Sequence, residues 1–303
     1  MQTRTAILAY GAVSMALALA GAVVARPASA AETVESAGSV LWQPSMNVFR
    51  RFAVPEKAMF DFYGTVLGFE QLDTLNVGAG TGVARFQAGG SELKLTARIA
   101  DRAYVSGGVD DATGLRLLSF FFPDERALIE RFEAHGLAPP VFAPRGSGSK
   151  SALVTDPDGQ AVELVVIPGA AASVYRDIEI GLTVADLETS RAFYADFVGL
   201  EALPPEHDPV FNTTKHAFRH GTTIVSLRSF GPDLPADTGS GGIQYVVSNV
   251  DHVDTLAKKR LVTIDQPLTG LAGFRLRTIW LDDPDGITNY FAETAQSREG
   301  AHP

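Results

Sequence analysis

The chain has 303 residues, 46% of them apolar and 20% charged, with a formal charge of −10. That composition is ordinary for a globular protein, and the length suits two domains rather than one small core. The negative balance argues against nucleic acid or an anionic membrane surface as partner. With no cysteine in the chain, disulfides, thiolate metal sites and cysteine nucleophiles are excluded.

Residues 1–30 read as a signal peptide. Arg4 gives a positive start, Ala6 to Ala25 is almost unbroken apolar sequence, and Ala28-Ser29-Ala30 supplies small residues for cleavage. A retained anchor helix is the alternative for a run of that length. Cleavage implies a periplasmic or secreted protein with no membrane contact afterwards. No later stretch is long and apolar enough to span a bilayer. Residues 31–44 read as a loose leader and 295–303 as a loose tail.

Between them lies an internal repeat. Four short apolar strands each run into an acidic or proline-containing helix start: Asn47 to Val54, Leu115 to Phe122, Ile178 to Val184 and Ile243 to Val247. Their ends are 68, 62 and 63 residues apart. Asp186 and Asn249 are placed to cap helices, and Ala127, Leu128, Ile129 and Phe132 form an apolar helical stripe. Leu67-Gly68 and Val198-Gly199 end the first and third helices. Alternating runs such as Ser91 to Ala97 and Thr223 to Phe230 read as strands. A longer repeat overlies this one. Asp156-Pro157-Asp158-Gly159 recurs 127 residues on as Asp283-Pro284-Asp285-Gly286, each a tight turn followed by a strand. Two modules therefore make one domain. The predicted boundaries are 45–168 and 177–294, joined by a linker over 169–176.

Phe62-Tyr63 before Leu67-Gly68, and Phe193-Tyr194 before Gly199-Leu200, each with a later Asp-Pro-Asp-Gly turn, resemble the vicinal oxygen chelate (VOC) superfamily. That group includes glyoxalase I, bleomycin-resistance proteins and extradiol dioxygenases. The resemblance implies an α+β fold of four βαβββ modules in two tandem domains, each curling into a cup. It also implies metal ligands near the start of each first strand and on the strand after the turn. In this chain those positions hold Phe49, Leu117, Glu179 and Gly242, then Glu163 and Tyr290, with Lys94 and Ser226 as counterparts. A catalytic metal needs about three convergent His, Asp or Glu ligands, and each expected cup offers one. No cofactor is therefore predicted. A divalent metal stays open through a slip in this alignment, or if modules two and three share a cup and let Glu163 meet Glu179. His216 and His220 are about 13 Å apart if they lie on one strand, too far to share an ion.

Strand alternation turns Glu179, Thr183, Ser226, Arg228, Gln244 and Tyr290 inward in the second domain. Those groups suit a small organic acid or phenol, with Arg228 gripping a carboxylate and Glu179 as candidate catalytic base. A structural Glu179–Arg228 ion pair is the alternative. In the first domain Glu163 is expected to pair with Lys94, both as candidate ligand contacts. Three functions fit: an exported binder of a small organic molecule without the family's metal; a superfamily enzyme (dioxygenase, lyase or isomerase) acting on an aromatic or carbonyl compound; or a non-catalytic interaction scaffold.

Overall fold

The structure, a computed structural model, describes residues 35–76, 82–97, 101–146, 148–271 and 273–300. The expected signal peptide lies outside the described residues. Among those described, no helix is long and apolar enough to cross a membrane.

Each module follows one plan. Module one is β1 (Asn47–Phe52), α1 (Glu56–Phe60, continuing as a wider π turn over Asp61–Val66), β2 (Glu70–Asn76), β3 (Gly82–Ala88) and β4 (Ser91–Ala97). Module two is β5 (Gly114–Phe122), α2 (Glu125–Ala134), β6 (Ala143–Gly146), β7 (Ser149–Thr155) and β8 (Ala161–Val166). Module three is β9 (Ile178–Thr183), α3 (Leu187–Ala192, with a π turn over Phe193–Val198), β10 (Glu201–Ala202), β11 (Glu206–Asp208), β12 (Thr213–His220) and β13 (Thr223–Arg228). Module four is β14 (Gly241–Val246), α4 (Val250–Lys259), β15 (Thr263–Leu271), β16 (Leu276–Asp282) and β17 (Thr288–Thr294). The expected caps form. The Asp186 and Asn249 side chains accept from free N–H groups of the first turns of α3 and α4, and Asp124, not among the expected caps, does the same for α2.

The sheets do not follow the sequence halves. Modules one and four form one sheet, ordered β15-β16-β17-β14-β1-β4-β3-β2. Modules two and three form the other, β10-β12-β13-β9-β5-β8-β7-β6, with β11 on β12. The first strands make the joins. β1 runs antiparallel to β14 with Asn47 opposite Gln244, and β5 runs antiparallel to β9 with Ser119 opposite Glu179. Each first strand is parallel to the last strand of its own module. The two cups are thus built between the halves. A cup within each half, as expected from chain order, is not formed.

What ties each half together is the helix-to-turn contact. Tyr63 Oη donates to Asp156 Oδ2 at 3.0 Å, and Tyr194 Oη to Asp283 Oδ2 at 2.8 Å. In both turns the second aspartate accepts a backbone N–H just after the partner module's first strand, Asp158 from Ala53 and Asp285 from Ala185. Gly159 and Gly286 have φ of +88° and +79°, conformations that a Cβ disfavours. The Phe-Tyr and Asp-Pro-Asp-Gly motifs are therefore two ends of one buried bond. A continuous apolar core fills the space between helices and sheets, including Phe62, Phe132, Tyr194 and Phe291.

The ends are more ordered than expected. Ala37 is buried, and Trp42 donates its backbone N–H to Val246 O at 2.9 Å, so residues 35–44 dock on the sheet rather than hang loose. Ala295–Glu299 forms a short helix α5 behind a Thr294–Ser297 capping box, where a loose tail was expected.

Candidate functional site

The predicted site residues divide between the two cups. Glu163, Glu179, Thr183, Ser226 and Arg228 face the cup of modules two and three, whereas Lys94, Gln244 and Tyr290 face the cup of modules one and four. The single second-domain lining is not formed. Nor does Glu163 meet Lys94, because they lie on different sheets.

The floor of the two–three cup is a closed charge network. Ser226 Oγ donates to Glu179 Oε1 at 2.6 Å, Arg228 Nη2 lies 3.0 Å from the same oxygen, and Lys215 Nζ is 3.2 Å from Oε2. Burial alone would raise the Glu179 carboxyl, but Lys215 and Arg228 outweigh it and hold the group at about 2. Arg228 also clasps Asp208 Oδ2, through Nε at 2.9 Å and Nη2 at 2.7 Å, with Phe211 under its guanidinium. Its donors are spent inside the protein, so it is not free to grip a ligand carboxylate. Thr183 Oγ1 donates to Val109 O and is likewise engaged. Glu179 stays ionised near neutrality with both oxygens in use, which makes it a poor proton acceptor.

Glu163 is different. It sits opposite Ser119, whose Oγ donates to its Oε2 at 2.9 Å. Arg145 Nε is 3.1 Å from Oε1 as a charge contact, but its N–H is out of line, and Oε1 has no hydrogen-bond donor among the described residues. Burial raises the Glu163 carboxyl; Arg145 opposes this, and the neighbouring Glu179 charge adds to it. On the same face of β8, two residues before Glu163, Ala161 borders a cavity of about 590 Å³, which Glu163 itself does not line. Val109, Leu153, Phe211 and Phe230 make most of its apolar lining. Asp208, Lys215, Arg145 and Ser119 have no place among the sequence expectations. Asp208 comes from β11, a strand specific to module three, and Lys215 from β12, the strand that β11 pairs with. Ser119 carries a signal, being two residues from the predicted inward Leu117.

The one–four cup is more open and mostly aromatic. Phe49, Lys94, Trp280 and Tyr290 are each half-buried on its concave face. Trp280 packs edge-on to Tyr290, ring centroids 5.2 Å apart, and lies 6.5 Å from Phe49. Lys94 Nζ donates to Gln244 Oε1 and is 3.5 Å from Glu92, which Arg85 also holds. Burial pushes the Tyr290 phenol up out of the range in which it would ionise.

The donor set does not fit the metal that the fold implies. Glu163 and Glu179 share a cup, but Glu179 is committed to Lys215, Arg228 and Ser226. Phe49 and Leu117 occupy positions where ligands would stand. Among the described residues no three His, Asp or Glu side chains converge. The histidines add nothing: His220 Nε2 contacts Gln43 O at 2.5 Å, and His216 lies further back along β12, its imidazole pushed down by burial and by Arg191.

The chain matches the Glyoxalase/Bleomycin resistance protein/Dioxygenase superfamily model over residues 56–164 and 178–291, and belongs to that superfamily. Among solved structures it resembles glyoxalase I from Zea mays, with TM-score 0.65, 18% identity, and coverage of 86% of this chain and 98% of that one. A point mutant of that maize enzyme gives TM-score 0.66 at 19% identity, covering 85% and 96%. A putative dioxygenase from Bacillus subtilis gives 0.56 at 15% identity, covering 84% and 86%. At such identities the likeness is one of fold. No curated protein matches the chain.

Proposed function

We propose that this chain is an exported superfamily member that binds a small, largely apolar organic molecule at the mouth of the two–three cup, without the family's metal. The carrying observation is the apolar cavity bordered by Ala161, with the half-satisfied Glu163 carboxyl next along β8. Its volume is in the range of small-ligand pockets, which pair apolar walls with a few placed polar groups. A hydroxyl or amine on the ligand would supply the donor that Glu163 Oε1 lacks. Export rests on Arg4, the Ala6 to Ala25 run and Ala28-Ser29-Ala30. Native mass spectrometry of protein purified from its own host tests the proposal. The expected result is a chain beginning after Ala30 that retains a small molecule, and loses it in Phe211→Trp, which fills the cavity. Stoichiometric, tightly held iron, manganese, nickel or zinc would overturn it.

An enzymatic reading is favoured by one observation. Two carboxylates of one floor, on either side of Ser119, are driven apart, Glu163 up and Glu179 down, the pattern by which a site separates acid from base. On that reading Glu163 is the proton-transfer group, and Glu163→Gln abolishes turnover of any substrate found.

A further inference from the structure

The one–four cup contains an arginine that no carboxylate of the described residues pairs with. Arg51 is buried on β1, two residues from Phe49 and on the same concave face. Its guanidinium carbon lies 4.8 Å from the Phe49 ring centroid. Its one hydrogen bond from the side chain among the described residues is a long one, Nη1 to Gly239 O at 3.5 Å. The nearby carboxylates are committed elsewhere. Asp237 is held by Arg116 at 2.8 Å, Asp265 by Arg102, and Glu92 by Arg85 and Lys94. Asp282 lies 3.8 Å from Arg102. Every other fully buried arginine among the described residues has a carboxylate: Arg50 has Asp156 and Asp158, Arg116 has Asp237, and Arg228 has Glu179 and Asp208. A buried charge without a partner is costly and is rarely retained in a fold without use.

We infer that the one–four cup is a second ligand site, taking a planar aromatic monocarboxylate whose carboxylate pairs with Arg51 and whose ring lies along Phe49, Trp280 and Tyr290. The unpaired donor fork sets the class: Arg51 has no carboxylate at ion-pair distance among the described residues and one long hydrogen bond, which suits a single carboxylate as ligand group. The guanidinium carbon lies over the Phe49 ring, and its planar donor fork suits bidentate pairing with a carboxylate. An arene attached to that carboxylate then lies beside the aromatic wall, within the offset and edge-on distances that rings prefer. Burial and the neighbouring Arg102 push the Arg51 guanidinium down to about 10, only partly offset by Asp265 and Asp237, so it keeps its proton at neutral pH yet gains from an anion. Gln244 and Lys94, tied to each other, lie further along the same floor, within reach of a ring hydroxyl. The site is separate from the cavity near Glu163 and stands without it.

Calorimetric titration of the full chain with benzoate, 4-hydroxybenzoate and the uncharged isostere benzamide tests the assignment, with tryptophan emission read alongside. Saturable binding of either carboxylate is expected, with benzamide weaker by about tenfold or more. Arg51→Gln should weaken carboxylate binding by a similar factor. Trp280→Phe should weaken carboxylate binding by trimming the aromatic wall and should lose the emission change, because the remaining tryptophan, Trp42, is outside the cup. No saturable binding of either carboxylate, or benzamide and Arg51→Gln behaving as benzoate and the parent chain, would overturn the inference. The comparison of benzoate with benzamide uses the unaltered protein, so it decides the matter even if the variant fails to fold.

Discussion

In the two–three cup, Leu117 lies across Gly181 with the Arg228 guanidinium beside it. In the one–four cup, Phe49 lies across Gly242 with Arg51 over its ring. The floors share a design: a glycine opposite a large apolar side chain on the joining strand, with an arginine at the edge. They differ in what meets the arginine. Module three carries Glu179 on its first strand and lays β11 over the cup, so that Asp208 and Glu179 enclose Arg228. Module four has no acidic residue on its first strand, β14, and Arg51 is left without a carboxylate among the described residues. One pair of modules has turned its cup into an internal ion-pair network, and the other has kept a charged, aromatic concavity. Occupation by the protein's own charges, one of them delivered by the added strand β11, is what separates the two.

The sharpest way to break that comparison is to remove each arginine in turn. Arg228→Met strands Asp208 and half of the Glu179 interaction in the interior. Losing one member of a buried pair typically costs about 3–5 kcal/mol. Arg51→Met removes a charge that has no carboxylate and leaves a side chain suited to packing on Phe49. It should cost less than about 1 kcal/mol or stabilise the fold. Urea unfolding midpoints of the two variants measure this. Equal losses would mean that Arg51 is held by the fold as firmly as Arg228.

Much of this architecture is legible in the sequence, and the part that is not has a definite cause. The apolar runs and acidic helix starts give all four first strands and their helices to within a residue or two, because periodicity and capping are local. The paired turns are legible for the same reason. Which first strands lie side by side is not, because alternation tells which residues share a face and says nothing about the neighbour across the sheet. Alternation alone therefore groups Gln244 and Tyr290 with Glu179, although their strands join module one. Asp208 escapes it because β11 breaks the module pattern, and Lys215, on the regular strand β12, carries no motif that marks it. Arg51 is within its reach: Phe49 reads as inward, and two residues along a strand return to the same face.

The two Asp-Pro-Asp-Gly turns sharpen the comparison at one remove. Asp156 has the Arg50 Nε 3.3 Å away, whereas Asp283 has the same tyrosine and backbone donors and no cation among the described residues. Burial pushes the Asp283 carboxyl up to about 7 from an ordinary 3.8. The unfolded chain then gives up this proton between about 4 and 7 while the folded chain keeps it. Stability from Asp283 is fully present below the unfolded value and is lost as pH rises through the folded one. Glu179 acts in the opposite sense, but its window lies lower, since its contribution is lost as pH falls from the ordinary 4.5 toward about 2. Asp283→Asn should therefore remove a decline in stability of order 2–4 kcal/mol between about pH 4.5 and about pH 7.5. Denaturation midpoints at those two pH values, compared with the parent chain, check it. An unchanged slope would show that the donors from Tyr194 and the turn keep Asp283 ionised without a cation.

The smallest effect concerns the glycines themselves, and it tests whether the floors are equivalent in packing as well as in plan. A methyl on Gly181 would lie 2.7 Å from Leu117 Cβ, and one on Gly242 would collide with the Phe49 ring and Thr288 O. Overpacking of this kind costs about 1–3 kcal/mol. Both Gly181→Ala and Gly242→Ala should fall in that range, with Gly242→Ala the worse because Thr288 O is backbone and cannot turn aside. Their second consequences should differ. Displacing Leu117 disturbs a neighbour of the Arg228 network, which its carboxylates still hold. Displacing Phe49 moves the ring under Arg51 and the ring facing Trp280, so Gly242→Ala alone should shift tryptophan emission and weaken benzoate binding. If Gly181→Ala altered that emission as strongly, the two cups would be coupled through the β14–β5 side of the molecule rather than acting as separate floors.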